Sequence, residues 1–197
     1  PDEVIIATGS TPKPAGFQLS SPTIPVPGAE LPHVATSWEV LGFGGRAQVG
    51  TNAIVYDDTG TFEAVSVADK LLAAGCKVTI ISRHERLGAM IPYPAATVEA
   101  SRERLFAEGV DFVPAMALRQ ITESDVTVYS LGLHAERTYP ADTVCIVTFH
   151  DLNDELGTYL AEEHAGAEFG VHVIGNAAGT DTIQAAIRSA SKVTRSM

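Results

Sequence analysis

The fold class of this chain is decided by residues 52–82, NAIVYDDTGTFEAVSVADKLLAAGCKVTIIS. The apolar run at 52–56 predicts a buried strand, and a second run at 78–81 predicts another. Between them, apolar residues at helical spacing predict an amphipathic helix that ends at Gly75. A strand, a helix and a strand within about 30 residues form a βαβ unit, whose strands are parallel and whose crossover is right-handed.

The same alternation continues along the chain. Residues 95–108 predict a second amphipathic helix ended by Gly109, and the apolar run at 110–113 predicts a third strand. This completes the β-α-β-α-β order of a nucleotide-binding half. The segment 117–140 instead alternates apolar and polar residues, which predicts a small antiparallel meander. We therefore predict an α/β protein with a Rossmann-like, three-layer NAD(P)-binding-type domain and a parallel sheet.

Further elements are predicted on both sides of this domain, from short apolar runs for strands and from capping residues for helices. They are strands at 4–6, 144–147 and 171–174, a short helix with Ser37 as its N-cap, and a last helix at 182–195 with Thr180 or Asp181 as its cap. The charge-rich stretch at 151–163 is predicted to form a solvated helix face.

The composition excludes several classes of function. The 197 residues carry 13 Lys and Arg against 24 Asp and Glu, a net charge of −11, which disfavours a nucleic-acid partner. No apolar run approaches the roughly 20 residues of a membrane helix, so no membrane partner is expected. Cys76 and Cys145 lie in apolar stretches without C-x-x-C spacing, which predicts buried thiols in a reducing, cytoplasmic compartment. Because the chain runs from Pro1 almost directly into a strand, we expect its start to lie within a larger protein.

No catalytic or metal-binding residue is predicted within these residues. The 6 histidines show neither H-x-x-x-H nor H-E-x-x-H spacing. Neither cysteine lies beside a predicted histidine partner, and no G-x-S-x-G elbow occurs. Hydrolytic and metal-dependent chemistry therefore have no support in the sequence.

The turn inside the βαβ unit decides whether that unit binds a dinucleotide. Such a turn needs glycines, because a pyrophosphate must approach the backbone closely. Gly60 is the glycine that this turn retains, and Asp57 and Asp58 are expected to repel a diphosphate. NAD(P) binding is therefore doubtful, and a Rossmann scaffold with a lost or altered ligand site is the competing interpretation. Replacing both aspartates by glycine is predicted to improve binding in part, since Phe62 still hinders close packing of helix and strand.

Arg83 ends the second strand of the unit, where a nucleotide-binding domain distinguishes a ribose hydroxyl from a 2′-phosphate. Taken alone, Arg83 and Arg86 indicate NADPH. Since the phosphate turn is degraded, an exposed arginine pair near Glu85 is the other interpretation. The choice among NADH, NADPH and ADP stays open on this evidence.

Three segments in fixed order carry a resemblance to a known family: residues 4–10, 53–83 and 171–177. Together they resemble the pyridine-nucleotide-disulfide-reductase type of flavoprotein, in which an NAD(P)-binding domain interrupts an FAD-binding domain. Within that group, residues 64–75 and 78–82 are most similar to the C-terminal half of trimethylamine dehydrogenase and its relatives. These relatives include 2,4-dienoyl-CoA reductase and other NADH:flavin oxidoreductases of the old yellow enzyme group. The resemblance covers essentially the whole chain.

The resemblance implies where a cofactor would bind. Thr8 and Gly9 match the A-T-G segment that leads toward the inserted domain, and glycine there lets the backbone pass close to a nucleotide. Gly175 and Asn176 match the G-D-A motif that returns to the flavin, with Asn replacing an aspartate that accepts a bond from the ribityl chain. With the N-terminus of the last helix, these residues form the expected FAD or ADP contact. Phe149 stands where the family has glycine, in space that a cofactor normally uses.

The resemblance also implies the domain organisation. Residues 1–33 and 149–197 would form a partial FAD/ADP-binding-like domain around an inserted NAD(P)-binding-like domain at 34–148, so the strands at 4–6 and 171–174 should share one sheet. A catalytic (β/α)₈ barrel with FMN and a 4Fe-4S cluster is implied upstream. The chain alone would then carry no redox chemistry, and its partners would be an adenine nucleotide and the upstream barrel. The alternative is a non-catalytic structural or interaction domain whose nucleotide site has decayed.

Overall fold

The computed structural model describes residues 1–14, 16–43, 47–91, 96–133, 135–163, 169–180 and 182–196. The chain forms two compact units: residues 12–149 make the larger one, and residues 1–11 with 150–197 make the smaller one. In chain order the elements are β1 (Glu3–Ile6), β2 (Ser10–Pro12), β3 (Val34–Thr36), α1 (Ser37–Leu41), β4 (Asn52–Asp57), α2 (Phe62–Ala73), β5 (Lys77–Ser82), α3 (Ala96–Ala107), β6 (Asp111–Val113), β7 (Met116–Ile121), β8 (Asp125–Ser130), β9 (Glu136–Pro140), β10 (Thr143–Val147), β11 (His150–Leu152), α4 (Glu155–Glu163), β12 (Gly170–Val173), a 3₁₀ helix (Gly175–Ala178) and α5 (Ile183–Thr194).

A parallel sheet forms the centre of the larger unit. Among the described residues its strand order is β3-β10-β4-β5-β6. β4 lies between β5 and β10, so that Val55 stands opposite both Ile80 and Cys145. The chain passes from β4 through α2 to β5 on one side, whereas β10 returns on the other side, so the strand order reverses at β4. Ligands of such sheets bind outside the carboxyl ends of the strands at this reversal, which places the candidate site after β4 and β10.

Apolar cores cover both faces of this sheet, because its central strands are apolar on both sides. On one face, Val55 and Ile80 pack with Leu71 of α2. On the opposite face, Tyr56 packs with Leu118 of the antiparallel sheet β7-β8-β9. The predicted α/β class, the parallel sheet, the layers and the meander are therefore confirmed.

The N-cap predicted for the short helix was wrong by one residue. Thr36 caps α1, and Ser37 is its first helical residue. The Thr36 hydroxyl accepts a bond from the Glu39 amide, and the Glu39 carboxylate accepts one from the Thr36 amide. This reciprocal capping box needs Glu or Gln three residues after the cap, whereas Val40 follows Ser37 at that distance.

The smaller unit contains the two strands that were expected to share a sheet. β1 and β12 are parallel neighbours, with Ile6 opposite Val173. β2 pairs with β11, and Gly157 of α4 lies against Val173. The compact units divide the chain at 11/12, so residues 12–33 lie in the larger unit rather than with the smaller one. The assignment of the smaller unit to an FAD-binding-like domain stays a prediction.

The last helix leaves two of its apolar residues, Ile183 and Ile187, exposed. Thr182 is its N-cap, with a hydroxyl that accepts a bond from the Ala185 amide, so the predicted cap Thr180 was wrong. The alternative cap, Asp181, lies outside the described residues. Within the described helix no residue is buried, and Ile183 is 76% exposed.

Two general findings concern the described part of the chain. None of its helices has the length and apolar character needed to cross a membrane. The same residues contain no group of three or more His, Cys, Asp or Glu side chains placed to hold a metal ion. Cys76 and Cys145 are free thiols, and both are buried as predicted.

Candidate functional site

The candidate site begins at the turn from β4 to α2, where Asp57 completes the strand. The Asp57 side chain is buried, and its Oδ1 accepts hydrogen bonds from the amides of Thr59 at 3.2 Å and Gly60 at 2.7 Å. The Ser82 hydroxyl donates to the other oxygen, Oδ2, at 3.4 Å. Burial raises the pKa of Asp57, while the two amide bonds and the nearby His84 oppose that rise. The turn amides that would face a phosphate are therefore already bonded.

Asp58 is also buried, but its carboxylate bonds to other parts of the unit. Its Oδ2 accepts from the Leu19 amide at 2.8 Å and from the Thr148 hydroxyl at 3.2 Å. Its Oδ1 lies 3.1 Å from Arg83 Nε and 3.4 Å from the Tyr56 hydroxyl. Burial and the Asp58 charge raise the pKa of Tyr56, so this phenol remains a donor. Asp58 thereby joins the loop before β3 to the carboxyl ends of three strands.

The loop that follows β5 covers the turn. Gly60 has a φ of +68°, which favours glycine, and its carbonyl accepts a bond from the Met90 amide at 3.0 Å. A Cβ at Gly60 would lie 2.9 Å from Nε2 of His84 and 3.1 Å from Cγ of Met90. The His84 Nε2 atom is buried without a hydrogen-bond partner among the described residues. The space beside Gly60 is therefore filled by side chains of the same unit.

Arg83 bonds inside the larger unit through its Nε atom. Its Nε donates to the Asp58 carbonyl at 2.6 Å and also pairs with the Asp58 carboxylate. Its side chain is 25% exposed. The sequence left two interpretations, a contact with a 2′-phosphate or an exposed arginine pair near Glu85, and the contact that the structure shows is with Asp58. A role of Arg83 in cofactor binding stays a prediction.

The other predicted residues meet at one edge of the smaller unit. Thr8 and Gly9 follow β1, while Gly175 and Asn176 follow β12, so the parallel pairing of these strands brings the four residues to the same edge. Gly9 and Gly175 have φ values of +78° and +64°, which favour glycine. A Cβ at Gly9 would meet no described atom within 4 Å. Asn176 is exposed at this edge.

Bonds within the smaller unit hold this edge in place. The Asn153 amide donates to the Gly9 carbonyl at 3.0 Å, and the Thr8 hydroxyl donates to the Asn153 carbonyl. The Gly175 amide donates to the Ser189 hydroxyl of α5 at 3.1 Å. The 3₁₀ helix that starts at Gly175 separates this residue from the first turn of α5, so the N-terminus of the last helix does not follow Gly175 directly. The Thr180 hydroxyl oxygen is buried without a partner among the described residues.

Sequence reasoning missed the residues that close the turn of the larger unit. Leu19 and Thr148 bond to Asp58, and the Met90 amide bonds to the Gly60 carbonyl. The His84 ring lies beside Gly60, where an added Cβ would meet it. None of these four residues belongs to a recognisable motif. One local signal was available. In the spacing Asp57-x-Thr59-Gly60 a carboxyl group is placed to accept bonds from amides two and three residues later, as in an Asx turn.

A family model described as pyridine nucleotide-disulphide oxidoreductase matches residues 1–172. The chain belongs to this family of oxidoreductases, whose members bind FAD and pyridine nucleotides, and the resemblance found in the sequence is confirmed. A probable N-methylproline demethylase of Rhizobium meliloti (strain 1021) is 35% identical over 82 residues, which are 42% of this chain and 10% of that protein.

Solved structures show the same fold. The structure of 6-hydroxypseudooxynicotine amine oxidase from Pseudomonas geniculata N1 is 32% identical with a TM-score of 0.87, and the match covers 97% of this chain and 28% of that one. Histamine dehydrogenase from Rhizobium sp. 4-9 is 22% identical with a TM-score of 0.85, over 100% of this chain and 30% of that one. The chain thus spans less than a third of the length of these solved relatives.

Proposed function

We propose that the chain is the C-terminal nucleotide-binding region of a flavin- and iron-sulfur-dependent oxidoreductase, of the NADH:flavin oxidoreductase or amine dehydrogenase type. The chain matches 28% of the length of an amine oxidase and 30% of that of histamine dehydrogenase, which supports the proposal that it is one part of such a protein. In this proposal the FMN barrel and the 4Fe-4S cluster belong to an upstream part of the same protein. The chain itself is non-catalytic and holds FAD or ADP. We assign it to the cytoplasm on the strength of its two free, buried thiols.

The observation that carries the proposal is the edge formed by Gly9 and Gly175. The residues at this edge fit an adenine nucleotide, since Gly9 leaves open space and Gly175 lacks a side chain at the end of the neighbouring strand. The exposed amide of Asn176 both donates and accepts hydrogen bonds, and the Thr180 hydroxyl has no partner among the described residues. FAD, when bound, supplies electron transfer. The residues of this chain bind and orient the nucleotide.

Exposed apolar surface in the smaller unit supports an upstream partner segment. Ile183 and Ile187 on α5 are 76% and 62% exposed, and Ile5 of β1 is 45% exposed. β1 and β12 form a two-stranded sheet in the described residues, and such a sheet is marginal without further covering. In the proposal, upstream residues that complete the FAD-binding-like domain cover this surface.

A nucleotide titration followed by amide chemical shifts tests the proposal. ADP and FAD should shift the resonances of Gly9, Gly175 and Asn176 and leave that of Gly60 unchanged. Asn176→Ala should weaken FAD binding by about tenfold, because it removes the side chain expected to bond the ribityl chain. Gln120→Ala removes an exposed amide from the larger unit and should leave binding unchanged. Shifts at Gly60 instead, or no response to either nucleotide, would contradict the proposal, as would a full-length protein that purifies without flavin or iron.

A second candidate function is that of a non-catalytic structural or interaction domain. The buried bonds of Asp57 and Asp58 favour it, because they occupy the position of a dinucleotide in the larger unit. Phe149 packs edge-on against Phe17, with ring centroids 6.5 Å apart, instead of leaving the space that a cofactor uses. Thermal-shift titrations with ADP, NAD, NADPH and FAD separate the two functions. A ligand at 100 times its dissociation constant adds about 2.7 kcal/mol of stability, whereas a purely structural domain shows no shift with any of the four.

A further inference from the structure

We propose that the dinucleotide-type turn of the larger unit is closed from within, with the carboxyl group of Asp57 bonded to the turn amides that would hold a phosphate. The residues at this turn do not fit an NAD(P) pyrophosphate. This inference goes beyond the proposed function, because it concerns the larger unit and does not depend on a nucleotide in the smaller one.

The first part of the argument is the occupation of the amides. In a dinucleotide-binding turn the backbone amides after the first strand point at the pyrophosphate. Here the amides of Thr59 and Gly60 both donate to a single oxygen of Asp57, at 3.2 and 2.7 Å. The Asp57 side chain is buried, so it does not swing into solvent to make room. An incoming phosphate would have to displace a carboxyl group that is part of the fold.

The second part is the space beside the glycine. The glycine of such a turn normally lets a phosphate approach the backbone, but at Gly60 that space contains His84 and Met90. A single added carbon would already lie within 3.1 Å of Met90 and 2.9 Å of His84, and a phosphate group is larger than a methyl group. The bond from the Met90 amide to the Gly60 carbonyl fixes the loop over the turn.

The third part is the state of the neighbouring cation. Arg83 stands where a nucleotide-binding domain meets the ribose or its phosphate, yet its guanidinium is bonded to Asp58. Asp58 in turn bonds Thr148 at the end of β10, across the point where the strand order reverses. Both the anion-binding amides and the Nε group of the nearest arginine are therefore used internally. Asp57 thus occupies the amides that would bind a phosphate, whereas Asp58 connects the carboxyl ends of the strands.

The experiment measures the Thr59 and Gly60 amides directly by NMR in the 197-residue chain. In the unmodified chain, inorganic phosphate, NADH and NADPH should leave both resonances unchanged. In Asp57→Ala both amides should exchange with solvent at least about tenfold faster, since each loses a hydrogen bond to a carboxyl group, and inorganic phosphate should shift them. Asp69→Ala is the matched control, because it removes an exposed carboxylate from α2 without touching the turn, and it should behave like the unmodified chain.

If Asp57→Ala folds, two results would overturn the proposal. One is a shift of the Thr59 and Gly60 resonances by NADH or phosphate in the unmodified chain. The other is a folded Asp57→Ala chain in which both amides remain protected and do not respond to phosphate. If Asp57→Ala does not fold, hydrogen exchange of the Thr59 and Gly60 amides in the unmodified chain tests the proposal. Exchange as fast as that of unbonded amides overturns the proposal, and slow exchange supports it. ADP shifts at Gly9 and Gly175 are read in the same spectra, so failure of this inference is distinguishable from failure of the proposed function.

Discussion

Substitution of Asp58 by Asn tests whether this residue holds the edge of the parallel sheet together. The substitution keeps the shape of the side chain and replaces one acceptor oxygen by an NH₂ donor. Because every partner of the Asp58 carboxylate is a donor, the new NH₂ group must face a donor whichever way the amide turns. We expect the larger unit to be destabilised.

The magnitude follows from the contacts of each oxygen. Hydrogen bonds to a charged group contribute about 1.5–3 kcal/mol each, but bonds that share one carboxylate are not additive. In the less costly orientation the amide oxygen faces Leu19 and Thr148, whose two buried bonds lose the charge of their acceptor. The NH₂ group then faces Arg83, which is 25% exposed and regains water at little cost. The expected loss in the free energy of unfolding is about 2–3 kcal/mol.

Equilibrium unfolding in urea, followed by tryptophan fluorescence, measures this loss. The chain has a single tryptophan, Trp38, which lies in the larger unit with Asp58, so its fluorescence reports on the unit that the substitution perturbs. Asp69→Asn is the control, because Asp69 also pairs with an arginine, Arg104, but on the surface. It should change the unfolding midpoint little. An Asp58→Asn chain as stable as the Asp69→Asn chain would refute the argument.

Three further predictions concern other parts of the larger unit. Gly28→Ala should destabilise the chain by about 1–3 kcal/mol more than Gly75→Ala. Both glycines have positive φ, but a Cβ at Gly28 would lie 1.9 Å from the Ile121 carbonyl oxygen, whereas one at Gly75 would meet no described atom within 4 Å. Equal urea midpoints for the two variants would count against this packing. Burial raises the pKa of Asp57 above its unfolded value, so the folded chain keeps a proton that the unfolded chain loses, and stability from this group falls as pH rises from about 4 through the raised pKa. As pH rises from 4 to 7, the free energy of unfolding of Asp57→Asn should therefore increase relative to that of the unmodified chain, by about 1.4 kcal/mol for each unit by which the Asp57 pKa is raised. A difference in the free energy of unfolding between the two chains that stays constant with pH, or changes in the opposite direction, would contradict this. Burial also raises the pKa of both thiols, so native Cys145, which is fully buried, should react with a disulfide reagent more slowly than Cys76, and both should react rapidly in denaturant. The Cys76→Ser variant isolates the reaction of Cys145, and rapid labelling of the native variant would show that this core opens.

Much of the architecture was predictable because it rests on local patterns. The apolar runs at 52–56 and 78–81, with helical spacing between them, specify parallel strands joined by a helix without reference to the rest of the chain. The alternation after residue 117 predicted the antiparallel sheet for the same reason. The helix caps were less certain, because Thr36, Ser37, Thr180 and Thr182 are all of a capping type and only the bonded partner distinguishes them.

The sequence by itself determined the α/β class, the family and the single glycine of the dinucleotide-type turn, since these depend on residue types at fixed spacing. The tertiary structure decided what the two aspartates of that turn do. Asp57 and Asp58 are adjacent and chemically identical, and by sequence both are charges that face a phosphate. Their roles differ because Asp57 bonds amides two and three residues away, whereas Asp58 bonds Leu19 and Thr148, which are 39 and 90 residues distant. Local spacing carries the first kind of contact, and only the packed fold brings the second kind together.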